Sequence, residues 1–204
     1  VALVTGLLRA SGGDLPIVTR FVQGRVVPAW ESTTLDIGPS LCYEAIARAA
    51  GREVTAADVE ERLAARGEIG DVAASYDFGG ERLAAFGDGD DALDVTEIYE
   101  TLREIAETGG AGSEETKRKL LFGLFNRCSP AEARYLARLV LSEMRIGVGE
   151  GTVRDAVADA FEVPVDAVER ALQVTNDYGE VAVVARDDGE AGLSTLRLEP
   201  GRPV

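Results

Sequence analysis

Apolar residues recur three and four positions apart along most of this chain, in short runs separated by glycines. That period lines one face of an α-helix, and the alternation of a half-buried strand is nearly absent. The stretch SPAEARYLARLVLSEMRIGVGEGTVR, residues 129–154, carries the pattern most fully. Ser129, Pro130 and Glu132 supply a hydroxyl N-cap, a proline at the first helical position and a capping-box acid. Ala133, Leu136, Ala137, Val140, Leu141 and Met144 then fall on one face, and the helix is expected to run up to Gly147. Gly147, Gly149 and Gly151 make the turn, and Thr152 with Asp155 is expected to cap the next helix. Glycines ahead of a helix start leave backbone N–H groups free to face an anion, with the helix dipole assisting. Two readings of this turn stay open: a phosphate site, or a plain reversal in which Gly147 ends one helix and the others ease the bend.

The rest of the chain repeats the theme. Val1 to Ala10 reads as the tail of a helix whose start is missing, and Asp14 with Pro16 opens a short helix ended by Gly24. Pro28 forces its predecessor toward extended geometry, so 25–30 reads as a packed loop anchored by Trp30. Helices are expected after Gly38-Pro39-Ser40, after Thr55 with its box partner Asp58, and after Asp94 with Glu97. Ser113 is expected to cap a helix bearing Lys117, Arg118 and Lys119. Two short helices follow Val153 and Asp166, and a last turn or two spans Glu180 to Arg186. The acidic run Gly87-Asp88-Gly89-Asp90-Asp91 lacks the ligand spacing of a calcium-binding EF-hand and reads as a solvated loop. The expected fold is all-α: one compact domain of about ten helices over 1–192, truncated at its N-terminus, with 193–204 an extended linker.

Charge narrows the partner. The 204 residues carry 36 acids and 21 bases, a net −15, and only two of the bases are lysine. A surface that is acid-rich and lysine-poor suits high salt, where screening makes such a charge tolerable. Yet between Lys117 and Arg154 eight bases face three acids, so this segment is +5 while the remainder is −20. Such an island is either a localised footprint for an anionic partner or a set of solvated helix faces. Without a single histidine, histidine acid–base chemistry and ligation are excluded. Cys42 and Cys128 sit among apolar helical residues and read as reduced core thiols. No signal peptide or membrane-spanning run is evident, so the expected compartment is cytoplasmic. No nucleotide-binding loop or nucleophile elbow occurs, and no acid pair stands out from the acidic surface.

The same residues carry a resemblance. SPAEARYLARLVLSEMRIGVGEGTVRDAVADAF, with FVQGRVVPAWESTTLDIGPSLCYEAIARAAG and DVTEIYETLREIAETGGAGSEETKRKLLFGLFNRCSP upstream, resembles the N-terminal DNA-binding domain of archaeal and eukaryotic ATP-dependent DNA ligases. The acidic, lysine-poor composition suggests a version from a halophile. The resemblance implies a helical domain that grips the backbone phosphates of nicked duplex DNA irrespective of sequence. A nucleotidyltransferase domain would follow, holding a Lys-x-Asp-Gly motif, ATP and Mg2+. Neither Lys117 nor Lys119 begins such a motif, so the segment is expected to bind DNA without sealing it. The DNA-binding residues so implied are Arg145, Gly147, Gly149, Gly151 and Thr152 at the glycine turn, and Ser113 with Lys117 at a second helix start. Arg118, Arg127 and Arg154 are basic neighbours, and neither catalytic nor metal-binding residues are expected. The protein would act as a monomer, with a sliding clamp as a candidate partner of the whole enzyme. A helical protein–protein adaptor with a basic patch is the alternative.

Overall fold

The computed structural model describes residues 1–78, 93–144 and 147–202. Among them it contains eleven α-helices and no strand, as the periodicity requires. No described helix is long and apolar enough to cross a membrane. The acidic run 87–91 lies outside the described residues. The helices gather into two compact units, 1–33 with 144–202 and 34–143, a division finer than the single domain read from the sequence.

The first unit holds α1 (Ala2–Ala10), α2 (Leu15–Val22), α9 (Glu150–Phe161), α10 (Val165–Thr175) and α11 (Tyr178–Thr195). Its core joins Leu8 of α1, Leu15 of α2, Val153 and Val157 of α9, Val168 of α10, and Val181 and Leu193 of α11. Small residues (Ala156, Ala171, Ala182, Ala185) fill the spaces between them and let the helices approach closely. Leu193, expected in an extended linker, is therefore a fully buried core residue of α11, which departs from helical geometry at Gly189 and continues to Thr195.

The second unit holds α3 (Pro39–Ala50), α4 (Ala56–Arg66), α5 (Ile69–Ala73), α6 (Val95–Glu107), α7 (Ser113–Phe125) and α8 (Pro130–Val140). Here α3 packs on α7 and α5 on α8. Ile46, Val59, Ile69, Leu102, Ile105, Leu121 and Phe125 are fully buried. Capping boxes form at Thr55–Asp58 and Ser129–Glu132, and Asp94 accepts from the amide of Glu97. Cys42 and Cys128 are free and buried. Burial, reinforced by the charges of Glu143 and Glu132 respectively, pushes both thiols up to about 12, which suppresses the reactive thiolate.

Three expectations at the helix ends are corrected. Helix α8 stops at Val140 and not beside Gly147, because Ser142 turns to φ 55; Leu141 and Met144 are only half-buried. Thr152 does not cap α9, since Gly149 is the N-cap and the first turn starts at Glu150. Ser113 does not cap α7 either: Gly112, at φ 83, is the N-cap and Ser113 is the first helical residue.

Each unit also contains the same device, which the sequence reading did not anticipate. An acidic N-cap holds the first amides of its own helix while an arginine from a packed helix binds both of its oxygens. In the second unit Glu68 accepts from the amides of Gly70 and Asp71 at 2.7 and 2.8 Å. Arg138 of α8 donates to the same carboxylate at 3.0 and 2.9 Å. In the first unit Asp177, 4% exposed, accepts from Gly179 at 3.0 Å and from Arg20 of α2 at 3.0 and 2.7 Å. The glycine two residues after the cap admits the arginine. A Cβ on Gly70 would lie 2.7 Å from Arg138 Nε, and one on Gly179 would lie 2.9 Å from Arg20 Nε and 2.7 Å from the Pro16 carbonyl oxygen.

Arg138, together with the Gly70 and Asp71 amides, pulls the Glu68 carboxyl from 4.5 down to about 2. A carboxyl whose folded value is depressed stabilises the fold above its unfolded value, and that stability is lost as pH falls toward the folded value. Glu68→Gln should therefore cost about 2 kcal/mol at neutral pH, the partial exposure of the pair reducing the full linkage figure. The gap between wild type and variant should close between pH 4.5 and about 2. Urea midpoints measured across that range in high salt test this; a gap independent of pH would show that the ion pair is not its source.

Candidate nucleic-acid interface

The glycine turn ahead of α9 sorts its three glycines by what the fold asks of them. Gly147 has φ 71, a left-handed conformation that side chains rarely adopt, so the backbone demands glycine there. Gly149 does not share that demand: it is extended, at φ −81 and ψ 169, and a Cβ on it would meet nothing within 4 Å. Gly151 is helical, exposed and equally open. Glycine inside a helix costs roughly 1 kcal/mol relative to alanine, with no packing here to offset it. The plain-reversal reading therefore accounts for Gly147 alone.

Helix α9 is twelve residues long and has no side-chain hydrogen bond at its N-cap. The amides of Thr152 and Val153 donate back to the Gly149 carbonyl oxygen at 2.9 and 3.2 Å, and those of Glu150 and Gly151 precede them in the first turn. Val148 packs against the core below, and the Tyr178 hydroxyl donates to the Glu150 carbonyl at 3.1 Å, so the start of α9 is held from two sides. Glu150 occupies the first helical position, where its carboxylate already complements the dipole; any anion brought there would meet that charge, a repulsion that high salt screens. Arg154, one turn on, is bound to Asp155 at 2.8 Å and to Glu169 at 3.5 Å, and the Asp155 hydrogen bond raises its pKa further. Arg145 lies outside the described residues.

The second helix start shares the absence of a side-chain cap but not the backbone, its N-cap being left-handed and not extended. Gly110 and Gly112 have φ of 86 and 83, and α7 has no side-chain cap. Its basic residues, however, turn toward the protein. Lys117 is 5% exposed and its ammonium donates to the Leu35 carbonyl at 2.8 Å, pinning the segment that leads into α3. Arg118 donates to Glu44 at 2.6 Å and also pairs with Glu115, which together hold its pKa above the usual value. Arg127, just past α7, is bidentate on Glu97 of α6, with one contact at 3.0 Å. Gly147, Gly149, Gly151, Thr152 and Arg154 thus stand together in the first unit; Ser113, Lys117 and Arg118 share α7 in the second, and Arg127 stands apart on the α6 side.

Much of the excess of bases along the sequence is consequently offset in space by carboxylates. Arg134 pairs with Asp71 at 3.1 Å and Arg138 with Glu68, so with Arg118 and Arg127 four of the island's eight bases are answered by acids from earlier in the chain. Lys119 is the exception in degree, 65% exposed and 3.8 Å from Glu115. Charge counted along the segment cannot reveal this, because Glu44, Glu68, Asp71 and Glu97 lie tens of residues from the arginines they meet. The sequence reading also missed Gln23 and Arg25, which line the same cleft as Glu150 and Tyr178. Arg25 is exposed, with no ion pair among the described residues. The signal that could have found it is its position in FVQGR, a segment singled out for its resemblance but not for its charge.

If the fold makes no use of glycine at 151, Gly151→Ala should stabilise the protein by about 0.5–1 kcal/mol. Thermal or urea unfolding reads this directly. A destabilised variant would mean that the helix start is more crowded than its geometry indicates.

Comparison with known proteins bears on the same residues. Residues 1–158 match the family described as DNA ligase N terminus. A DNA ligase of Haloarcula marismortui is 70% identical over 98% of the chain, and one of Haloferax volcanii is 63% identical over all of it. DNA ligase 2 of Methanosarcina acetivorans is 41% identical over 94%. The chain spans 37%, 40% and 34% of these three relatives, less than half of each. With the glycine turn and most of α9 inside the matched region, the chain belongs to the DNA ligase N-terminus family.

Proposed function

We propose that this chain binds the phosphate backbone of nicked duplex DNA without regard to sequence, as the DNA-binding part of an ATP-dependent DNA ligase. One observation carries the reading: Gly149 and Gly151 stand in an uncapped helix start where the fold requires no glycine. A phosphate oxygen must come within hydrogen-bonding distance of the first-turn amides, and a Cβ beside them would obstruct it. Contacts of this kind position a protein on DNA and carry no base information, which suits a clamp on arbitrary nicks. Thr152 and Arg154 follow this turn and Arg145 precedes it in sequence; Ser113, Lys117 and Arg118 belong to a second contact region on α7, with Arg127 a separate contact beside α6.

The ion pairs qualify how the arginines act. Arg118, Arg127 and Arg154 are neutralised by carboxylates, so each must exchange a partner to meet a phosphate. Lys117 serves first as a strut for the segment before α3. Backbone amides therefore supply most of the phosphate recognition. Strand sealing, with ATP and Mg2+, is assigned to parts of the enzyme outside this segment. The protein acts as a cytoplasmic monomer, and a sliding clamp is a candidate partner of the whole enzyme.

Fluorescence anisotropy with nicked duplexes of unrelated sequence, in molar potassium chloride, tests the proposal. Gly149→Val should weaken binding by more than about tenfold with helical content unchanged, since valine readily adopts the extended geometry of that position. Arg145→Ala should weaken every duplex alike and lower the salt slope by about 0.9. Unaltered binding by Gly149→Val, or a loss confined to one sequence, would sink the phosphate site. A folded wild type that binds no duplex would favour the adaptor reading.

A further inference from the structure

Beyond Thr195 the chain folds back onto the first unit. Leu196 packs against the core, and Glu199, Pro200, Gly201 and Arg202 form a tight turn. Gly201 has φ 93, and the Arg202 amide donates to the Glu199 carbonyl at 3.1 Å. Proline followed by a positive-φ glycine is the signature of a type II turn, and this one delivers the Arg202 side chain to a prepared site. Its guanidinium lies 4.5 Å from the centroid of the Trp30 ring. It also donates to Glu180 at 2.9 Å and contacts Glu199 at 3.1 Å. Glu180 sits in the first turn of α11, directly after the Asp177–Arg20 clasp, and Trp30 ends the packed loop 25–30. The indole N–H of Trp30 is buried with no acceptor among the described residues, so the ring engages the strap through its face.

Resting on the ligase reading above, we propose that Arg202 is a positioning residue. It straps residues 196–202 to the first unit and so sets the point from which the following chain departs relative to the DNA-gripping surface. The chemistry selects arginine: a planar guanidinium can stack on an indole and meet two carboxylates at once, whereas a lysine ammonium cannot do both. In a chain of net −15, a cation facing two carboxylates and a ring is held by local contacts that distant bases do not contest.

Trp30 is the only tryptophan in the chain, so its emission reports this site alone. In residues 1–204, Arg202→Ala should raise acrylamide quenching of Trp30 about twofold and shift its emission, with far-ultraviolet dichroism unchanged. Arg202→Lys should fall between the two, and truncation after Leu198 should reproduce Arg202→Ala without altering the core. Unchanged quenching in Arg202→Ala and in the truncated chain overturns the proposal. In the longer protein, Arg202→Ala should raise KM for nicked duplex about fivefold while leaving kcat and self-adenylylation unchanged. Increased quenching with unaltered KM would mean that the strap docks but positions nothing, which also overturns the proposal. A longer protein that seals no nick even with Arg202 intact would overturn the ligase reading and the positioning role with it, while the fluorescence result would still decide whether the strap docks.

Discussion

Each unit depends on a carboxylate that does two jobs at once. Glu68 and Asp177 cap a helix and receive an arginine from the helix packed against it. A buried or half-buried ion pair is a poor source of stability when its oxygens are otherwise unsatisfied. Here first-turn amides also donate to the carboxylate, two to Glu68 and one to Asp177, and the positive end of the helix dipole adds to the field there. Removing either partner would strand a charge in a partly desolvated site, so the clasp fixes how α5 meets α8 and how α2 meets α11. The glycine two residues after each cap is part of the device, because only a missing side chain lets the guanidinium reach the helix start.

This arrangement reframes the acidic composition. Arginines of the basic segment reach carboxylates on other helices, so the acids are partly structural and not only a solvated coat. Pairs such as Arg134–Asp71, over two-fifths exposed on both sides, add little individually and are sensitive to salt. The clasps are better shielded, with side chains between 3% and 24% exposed. Stability should therefore rest on a few sheltered pairs, while the bulk of the net negative charge is what high salt must screen.

Much of the fold was legible because its signals are local. Capping residues, a 3.6-residue apolar period and terminal glycines act within a few positions, and Thr55–Asp58, Asp94 and Ser129–Glu132 form as their spacing implies. What was not legible depends on residues far apart in the chain. The two clasps, the burial of Lys117 against Leu35 and the docking of Arg202 on Trp30 link residues separated by 70, 157, 82 and 172 positions. The early end of α8 was hidden for another reason. Leu141 and Met144 keep the helical period, while the chain leaves the helix at a serine in a left-handed conformation that the pattern does not register. At the glycine turn, spacing alone could not separate a turn residue from a ligand-facing one. Backbone geometry shows which glycine the turn itself needs: Gly147, by its φ, and neither Gly149 nor Gly151.

In the proposed DNA-binding mode an anion approaches the start of α9 along its backbone. Amide chemical-shift mapping of the isotopically labelled chain, titrated with nicked duplex in high salt, tests it most directly. The largest downfield shifts should fall at the amides of Gly149, Glu150 and Gly151, as expected for N–H groups that gain a phosphate acceptor, with smaller changes at Thr152, whose amide already donates to the Gly149 carbonyl, and around Ser113. Saturable binding that leaves those three amides unmoved, with its perturbations centred elsewhere, would mean that the start of α9 is not the phosphate site.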